Sequence, residues 1–248
     1  MRMDQAITAQ SISITGADGD DVEAYFAAPQ SDTRRGGVIV IHHLPGYDRW
    51  SKEVVRRFAV DGYNTICVNL YSRQAPGAEP DDAAAVARSQ GGVPDAQVIG
   101  DMAGAASYLR GLDTSNGKVA VMGHCSGGRQ AVLTGCNTDV DAIVDCYGGF
   151  VIGNPPPDIP YKATSLEDQL SKLSAPVLGL FGKDDAAPSP DQVATLDRLL
   201  TEYGVEHEFT SYEGAGHAFF AVDRPAYRVE AALDGYARIG RFFTEKIG

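Results

Sequence analysis

The alternation of short, β-branched apolar runs with amphipathic segments constrains this chain more than any single motif. The run "GGVIVIHH" (36–43) is almost continuously apolar, as expected of a strand buried on both faces. "WSKEVVRRFAVDGY" follows, placing Val54, Val55, Phe58 and Ala59 at helical spacing with charges opposite. The strand-like "NTICVNLY" (64–71), the helical "DAQVIGDMAGAASYLRGL" (95–112) and the strand-like "KVAVMGH" (118–124) continue the pattern, and "CSGGRQAVLTG" opens another helix. "DAIVDCYGG" (141–149), "APVLGLFG" (175–182) and "EHEFTSYEG" (206–214) read as strands. "PDQVATLDRLLTEYG" (190–204) and "PAYRVEAALDGYARIGRFFTEKI" read as helices.

Strands alternating with helices require right-handed crossovers. The expected fold is therefore α/β, a mostly parallel central sheet with helices on both faces. Before it, "SISITG" and "VEAYFAAP", separated by "ADGDD", predict an N-terminal antiparallel hairpin. Three consecutive prolines break "FVIGNPPPDIPYKATSLEDQLSK" (150–172), which reads as an excursion over the sheet edge and not as a domain boundary. Residues 1–248 are thus expected to form one α/β domain.

The net charge of −12 argues against nucleic acid or an anionic membrane as partner, since both would be repelled. No run approaches the roughly 18 uncharged apolar residues that span a bilayer. The first residues lack a signal-peptide apolar core, Asp4 standing where one would begin, so a cytoplasmic protein is expected. Of the four cysteines, Cys67, Cys136 and Cys146 sit in apolar contexts, and no Cys-x-x-Cys spacing or disulfide framework is apparent.

The fourth, Cys125, sits in "GHCSGG" (123–128), between a strand and a helix. In a strand–nucleophile–helix turn the central residue is strained and its neighbours must be small, which Gly123, Gly127 and Gly128 satisfy. The helix beyond would aim its free amides and positive dipole end at the thiol. Ser126 is out of register, because its Gly-x-Ser-x-Gly would need glycine where His124 stands. An acid and a histidine should follow in that order. "VLGLFGKDDAAPSP" offers Asp184 and Asp185, and the Gly-x-x-Asp spacing from Gly182 selects Asp185. "YEGAGHAFF" offers His217 on a small-residue loop. Each piece alone reads as an ordinary turn or loop. Their order, each just after a predicted strand, makes Cys125, His217 and Asp185 a candidate nucleophile, base and orienting acid.

The stretches "VIVIHHLPGY", "GYNTICVNLYSRQAPG", "VMGHCSGGRQ", "LGLFGKDDAAPSPDQV" and "YEGAGHAFF" resemble the dienelactone hydrolase family of the α/β-hydrolase superfold. The resemblance implies a Cys125-His217-Asp185 triad without a cofactor and an oxyanion hole from the Leu44 and Ser126 amides. A small ester or lactone would be the substrate, cleaved through a thioester. The chain departs from the pattern in two places. His42-His43 stands where a Gln-Glu pair is expected, and His43 matches the glutamate that controls thiol protonation; a protonated His43 would favour thiolate. Arg73 matches one of two arginines that hold a substrate carboxylate, whereas the second position falls near the uncharged Ala221, with Arg224 close by. One arginine still favours an anionic or polar ester. Phe219, beside the histidine, is a candidate apolar wall, as are Trp50, Tyr47, Tyr71 and Tyr147.

Two other classes compete. A metal-dependent hydrolase could use His42, His43, His124 and His217, yet adjacent strand residues face opposite ways and no HExxH-like spacing exists. A redox or peroxide-reactive protein could use Cys125 alone, but it needs no Asp-His pair in hydrolase order.

Overall fold

The computed structural model describes residues 6–248; Asp4 and the rest of residues 1–5 lie outside the described residues. Eight strands form one sheet in the order β1-β2-β4-β3-β5-β6-β7-β8. β1 (Ile7–Thr15) and β2 (Asp21–Pro29) make the expected antiparallel hairpin, and β2 also pairs antiparallel with β4 (Asn64–Val68). From β4 onwards the pairing is parallel, through β3 (Arg35–Ile41), β5 (Ser115–His124), β6 (Ala142–Cys146), β7 (Val177–Gly182) and β8 (His207–Tyr212).

The pleat explains why the central strands are apolar throughout. Val38 and Val40 point to one face of β3, Ile39 and Ile41 to the other, and all four are buried. On the Ile39 face pack α2 (Pro80–Ser89), α3 (Asp95–Arg110), α4 (Ser126–Asn137) and α5 (Pro190–Glu202). On the Val40 face pack α1 (Arg49–Val60) and α6 (Val229–Lys246). Each buried Val, Leu or Ile contributes roughly 1.5–3 kcal/mol, so the two faces hold the sheet as a rigid platform. No helix among the described residues is long and apolar enough to cross a membrane.

Helix starts follow local chemistry. The Asp48 carboxylate accepts the Ser51 amide at 2.8 Å and caps α1, and Ser189 and Gln192 form a reciprocal capping box at α5. The predicted elements appear with ends shifted by a few residues, which is where hydrogen bonding rather than pattern decides. β3, for instance, stops at Ile41, so His42 and His43 lie in the loop beyond. α2 has no counterpart in the sequence reading. Its buried face is only Ala83, Ala84 and Ala87, too small to give a strong apolar period, although Pro80 and two aspartates mark its first turn.

The segment 150–172 leaves the end of β6 and returns before β7. It is anchored by Leu166 N to Val151 O (2.9 Å), Lys162 N to Gly91 O (2.8 Å) and Gln192 Nε2 to Ile152 O (2.8 Å). It does not merely skirt the sheet edge, because part of it lies over the carboxyl ends of the strands, where ligands bind in open parallel sheets.

Candidate active site

Cys125 occupies the turn between β5 and α4 with φ 57° and ψ −123°, a backbone position that costs on the order of 1–3 kcal/mol outside glycine. The surroundings hold it there. Its amide donates to Cys146 O at 3.0 Å, and its carbonyl accepts the Gly128 amide at 3.0 Å. The flanking glycines are required by close approach: a Cβ at Gly123 would lie 2.1 Å from Gly127 O, and one at Gly127 would lie 2.4 Å from Ile41 O. Cys125 is partly exposed, whereas Cys67, Cys136 and Cys146 are buried.

β7 ends at Gly182 and delivers Asp185 to the same cleft. Asp185 is buried, and its Oδ1 accepts the Ala187 amide at 2.9 Å while Oδ2 lies 2.8 Å from His217 Nδ1. Asp184 is exposed, so the adjacent carboxylates divide as the Gly182 spacing predicts. With Nδ1 engaged, His217 keeps Nε2 for the thiol. Burial pushes the His217 pKa down, but the hydrogen bonds to Asp185 and Cys125 outweigh it and raise the value to about 10. The imidazole can therefore carry a proton at neutral pH when a thiolate faces it. Beneath it, the Tyr147 and Phe219 rings stack edgewise, each centroid pair 5.1 Å apart.

Leu44 and Ser126 border the cleft with Cys125, and neither amide has a protein acceptor among the described residues. Ser126 opens α4, where the amide has no partner within the helix. The Leu44 loop is held from three sides. Tyr71 donates its hydroxyl to Leu44 O at 2.8 Å. His42 donates from Nδ1 to His43 O (2.9 Å) and accepts the Leu70 amide at Nε2 (3.3 Å). Asp48 binds His43 Nε2 at 2.7 Å. Full burial lowers the His42 pKa to about 4, so it stays neutral in this bridging role. Burial raises the carboxyl pKa of Asp48, but the His43 hydrogen bond and the Ser51 amide more than offset this and leave it low.

Three expected substrate contacts are placed elsewhere. His43, expected to tune the thiol, packs against Trp50 with centroids 4.8 Å apart and makes its side-chain hydrogen bond to Asp48. Its neighbours tie a loop to α1. Arg73 does not line the cleft. Its guanidinium is shared by Asp20 (2.7 and 2.6 Å) and Asp101 (2.9 and 2.8 Å), a double fork that leaves no face for a substrate carboxylate. Phe219 is fully buried and stacked on Phe220 at 4.8 Å, so it supports the His217 loop as core rather than forming a wall. Trp50 likewise sits between His43 and His124, and Tyr147 packs against His217.

The histidines do not converge. His124 is buried among Trp50, Tyr147 and Phe220, its pKa lowered to about 3 by desolvation, while His42 and His43 are committed to different partners. Among the described residues no three His, Cys, Asp or Glu side chains form a metal-sized cluster.

The cleft above Cys125 has a volume of about 350 Å³ and is walled by Leu44, Phe150, Ile159, Tyr161, Ala186 and Ala187. Three of these come from the proline-bearing segment. Their aromatic and aliphatic character was the only available signal, and it has no period that distinguishes a wall from a loop. Asp145 was also missed. It is fully buried at the end of β6, with Oδ1 accepting the Gly148 amide at 2.7 Å and Oδ2 without a partner among the described residues. Burial raises its pKa to about 7.

Known proteins place this arrangement. The model of the dienelactone hydrolase family matches residues 22–247. A Salmonella typhimurium protein provisionally named carboxymethylenebutenolidase is 34% identical, covering 98% of this chain and 89% of its own length. The carboxymethylenebutenolidase of Pseudomonas putida is 29% identical over 90% of this chain and 91% of its own. A crystal structure provisionally named a dienelactone hydrolase, from Klebsiella pneumoniae, superposes with a TM-score of 0.83 at 32% identity, covering 96% of this chain and 99% of that one. The sheet order, the strained turn after β5 and these matches lead to one conclusion: the fold is that of the α/β-hydrolases, and the chain belongs to the dienelactone hydrolase family as a hydrolase of that kind.

Proposed function

We propose that the protein hydrolyses a small carboxylic ester or lactone through a Cys125-His217-Asp185 triad and a thioester intermediate, within one domain. The observation that carries this reading is the hydrogen bond from His217 Nδ1 to Asp185 Oδ2 in the same cleft as Cys125, beside two amides that have no acceptor among the described residues. The Cys125 sulfur attacks the carbonyl carbon and forms a C–S bond. The carbonyl π electrons move to oxygen, where the Leu44 and Ser126 amides receive the charge. Collapse breaks the C–O bond, and His217 gives its proton to the departing oxygen. Water then attacks the thioester, losing a proton to His217, and the C–S bond breaks to release the acid and restore the thiolate–imidazolium pair. Asp185 holds the imidazole in the required orientation throughout.

A thiolate leaves a tetrahedral intermediate more readily than an alkoxide, so the site suits activated esters and enol lactones better than amides. The cytoplasm is the proposed compartment, supported by four unpaired cysteines. Cys125→Ala should reduce kcat/KM on a chromogenic short-chain ester by roughly a thousandfold or more, with the fold intact by circular dichroism. Full activity in that variant overturns the mechanism. A peroxide-reactive protein would instead keep its Cys125 oxidation rate in His217→Ala.

A further inference from the structure

The charges around the cleft bear on which ester the site accepts. Its wall is Leu44, Phe150, Ile159, Tyr161, Ala186 and Ala187, with no lysine or arginine among the lining residues. Arg73, at the position that matches the family's carboxylate contact, and Arg129, in α4 beyond Cys125, are both already ion-paired. Arg73 is clamped by Asp20 and Asp101. Arg129, one turn beyond Cys125 and fully buried, is paired with both oxygens of Asp95 at 2.8 Å and donates to Thr164 O at 2.7 Å. Among the lining residues the one group that can carry a positive charge is His217, which is hydrogen-bonded to Asp185. An anionic substituent entering here would lose its hydration and find no lysine or arginine among the lining residues to pair with. The volume of about 350 Å³ is near the lower end for ligand pockets and suits a ring-sized group.

We propose that the substrate is an uncharged ester or lactone with a compact apolar or aromatic substituent, and that the cleft discriminates against a carboxylate-bearing substrate. This proposal rests on the hydrolase reading above and specifies its substrate class. The carboxylate is rejected because the Arg73 position that matches the family's carboxylate contact is withdrawn into a structural ion-pair cluster. Apolar burial against Phe150, Ile159 and Tyr161 supplies binding instead.

The test is a matched pair: an aryl-substituted enol lactone carrying a carboxylate, and the same lactone with that carboxylate as its methyl ester. Both are assayed for enol-lactone opening on wild type, Ile159→Arg, Arg73→Ala and Cys125→Ala. Ile159 is 42% exposed at the cleft rim, so an arginine there adds a free cation without disturbing the core. Wild type is expected to favour the methyl ester by roughly thirtyfold in kcat/KM, mainly through KM, as for a charge buried without its partner. Ile159→Arg is expected to narrow that ratio about tenfold or more, by improving the carboxylate form and by weakening the methyl ester, which loses the apolar Ile159 contact.

Equal or better turnover of the carboxylate form by wild type overturns the proposal. Loss of that preference in Arg73→Ala would then assign it to Arg73. A preserved charge preference together with full activity in Cys125→Ala supports the substrate assignment and sinks the triad. Failure of wild type to open either lactone overturns both.

Discussion

At the residue scale, the site contains groups whose protonation the fold has moved in opposite directions for identifiable reasons. His217 holds its proton to about 10 because two hydrogen-bond partners outweigh burial. Asp145 is pushed up to about 7 because burial is answered by only one strong hydrogen bond, from Gly148. Its folded value lies above the free-carboxyl value of 3.8, so its stabilising contribution is complete below pH 3.8 and lost as pH rises through about 7. Asp145→Asn keeps the acceptor for Gly148 and removes the charge. It should be more stable than wild type by about 2 kcal/mol or more at pH 8, with the difference vanishing near pH 4. Urea midpoints across that range check it. The candidate residues Cys125, Asp185 and His217 were legible from sequence because each is a single residue type in a short motif after a strand. Asp145 was not, since a carboxylate in "IVDCYGG" says nothing of whether a backbone turn will close over it.

At the element scale, α4 joins three parts of the site. Its first residue, Ser126, presents a free amide to the cleft, its glycines allow it to seat on β5, and Arg129 ties it to α3 through Asp95 and to the 150–172 segment through Thr164. Asp95→Asn would leave the guanidinium fully buried beside one carbonyl. A loss of about 3 kcal/mol is expected from that uncompensated charge, read as a lower urea midpoint. Hydrogen exchange should quicken in 150–165 before the sheet, because Thr164 loses its anchor. The segment shows where element reading fails. Its prolines announce irregular backbone, and the cleft-facing side of such backbone is set by anchors at Gly91, Val151 and Gln192 rather than by periodicity. α2 escaped notice for the converse reason, an alanine face with too little contrast.

At the scale of the whole molecule, two buried histidines set the acid limit of stability. The values of His42 (about 4) and His124 (about 3) lie below that of a free histidine, because burial penalises the cation. Their contribution is therefore fully present above about pH 6.5 and is lost as pH falls towards those values, for His42 by roughly 3 kcal/mol by pH 4. Asp145 gains stability across part of the same window, so wild type should lose stability more gently on acidification than Asp145→Asn. Thermal melts from pH 8 to 4 on the two proteins test both the sign and the coupling.

Local sequence sets the β/α alternation, the N-terminal hairpin, the glycine-flanked turn and the order Cys125, Asp185, His217. These are written in contiguous residues whose backbone preferences and spacing act locally. The partners of Arg73 and the walls of the cleft come from packing between segments distant in the chain, and those of His43 from the packing of its loop onto α1. A charged side chain goes to the partners that surround it in space. For Arg73 these are Asp20 and Asp101, 53 and 28 residues away along the chain, and no local pattern records their approach.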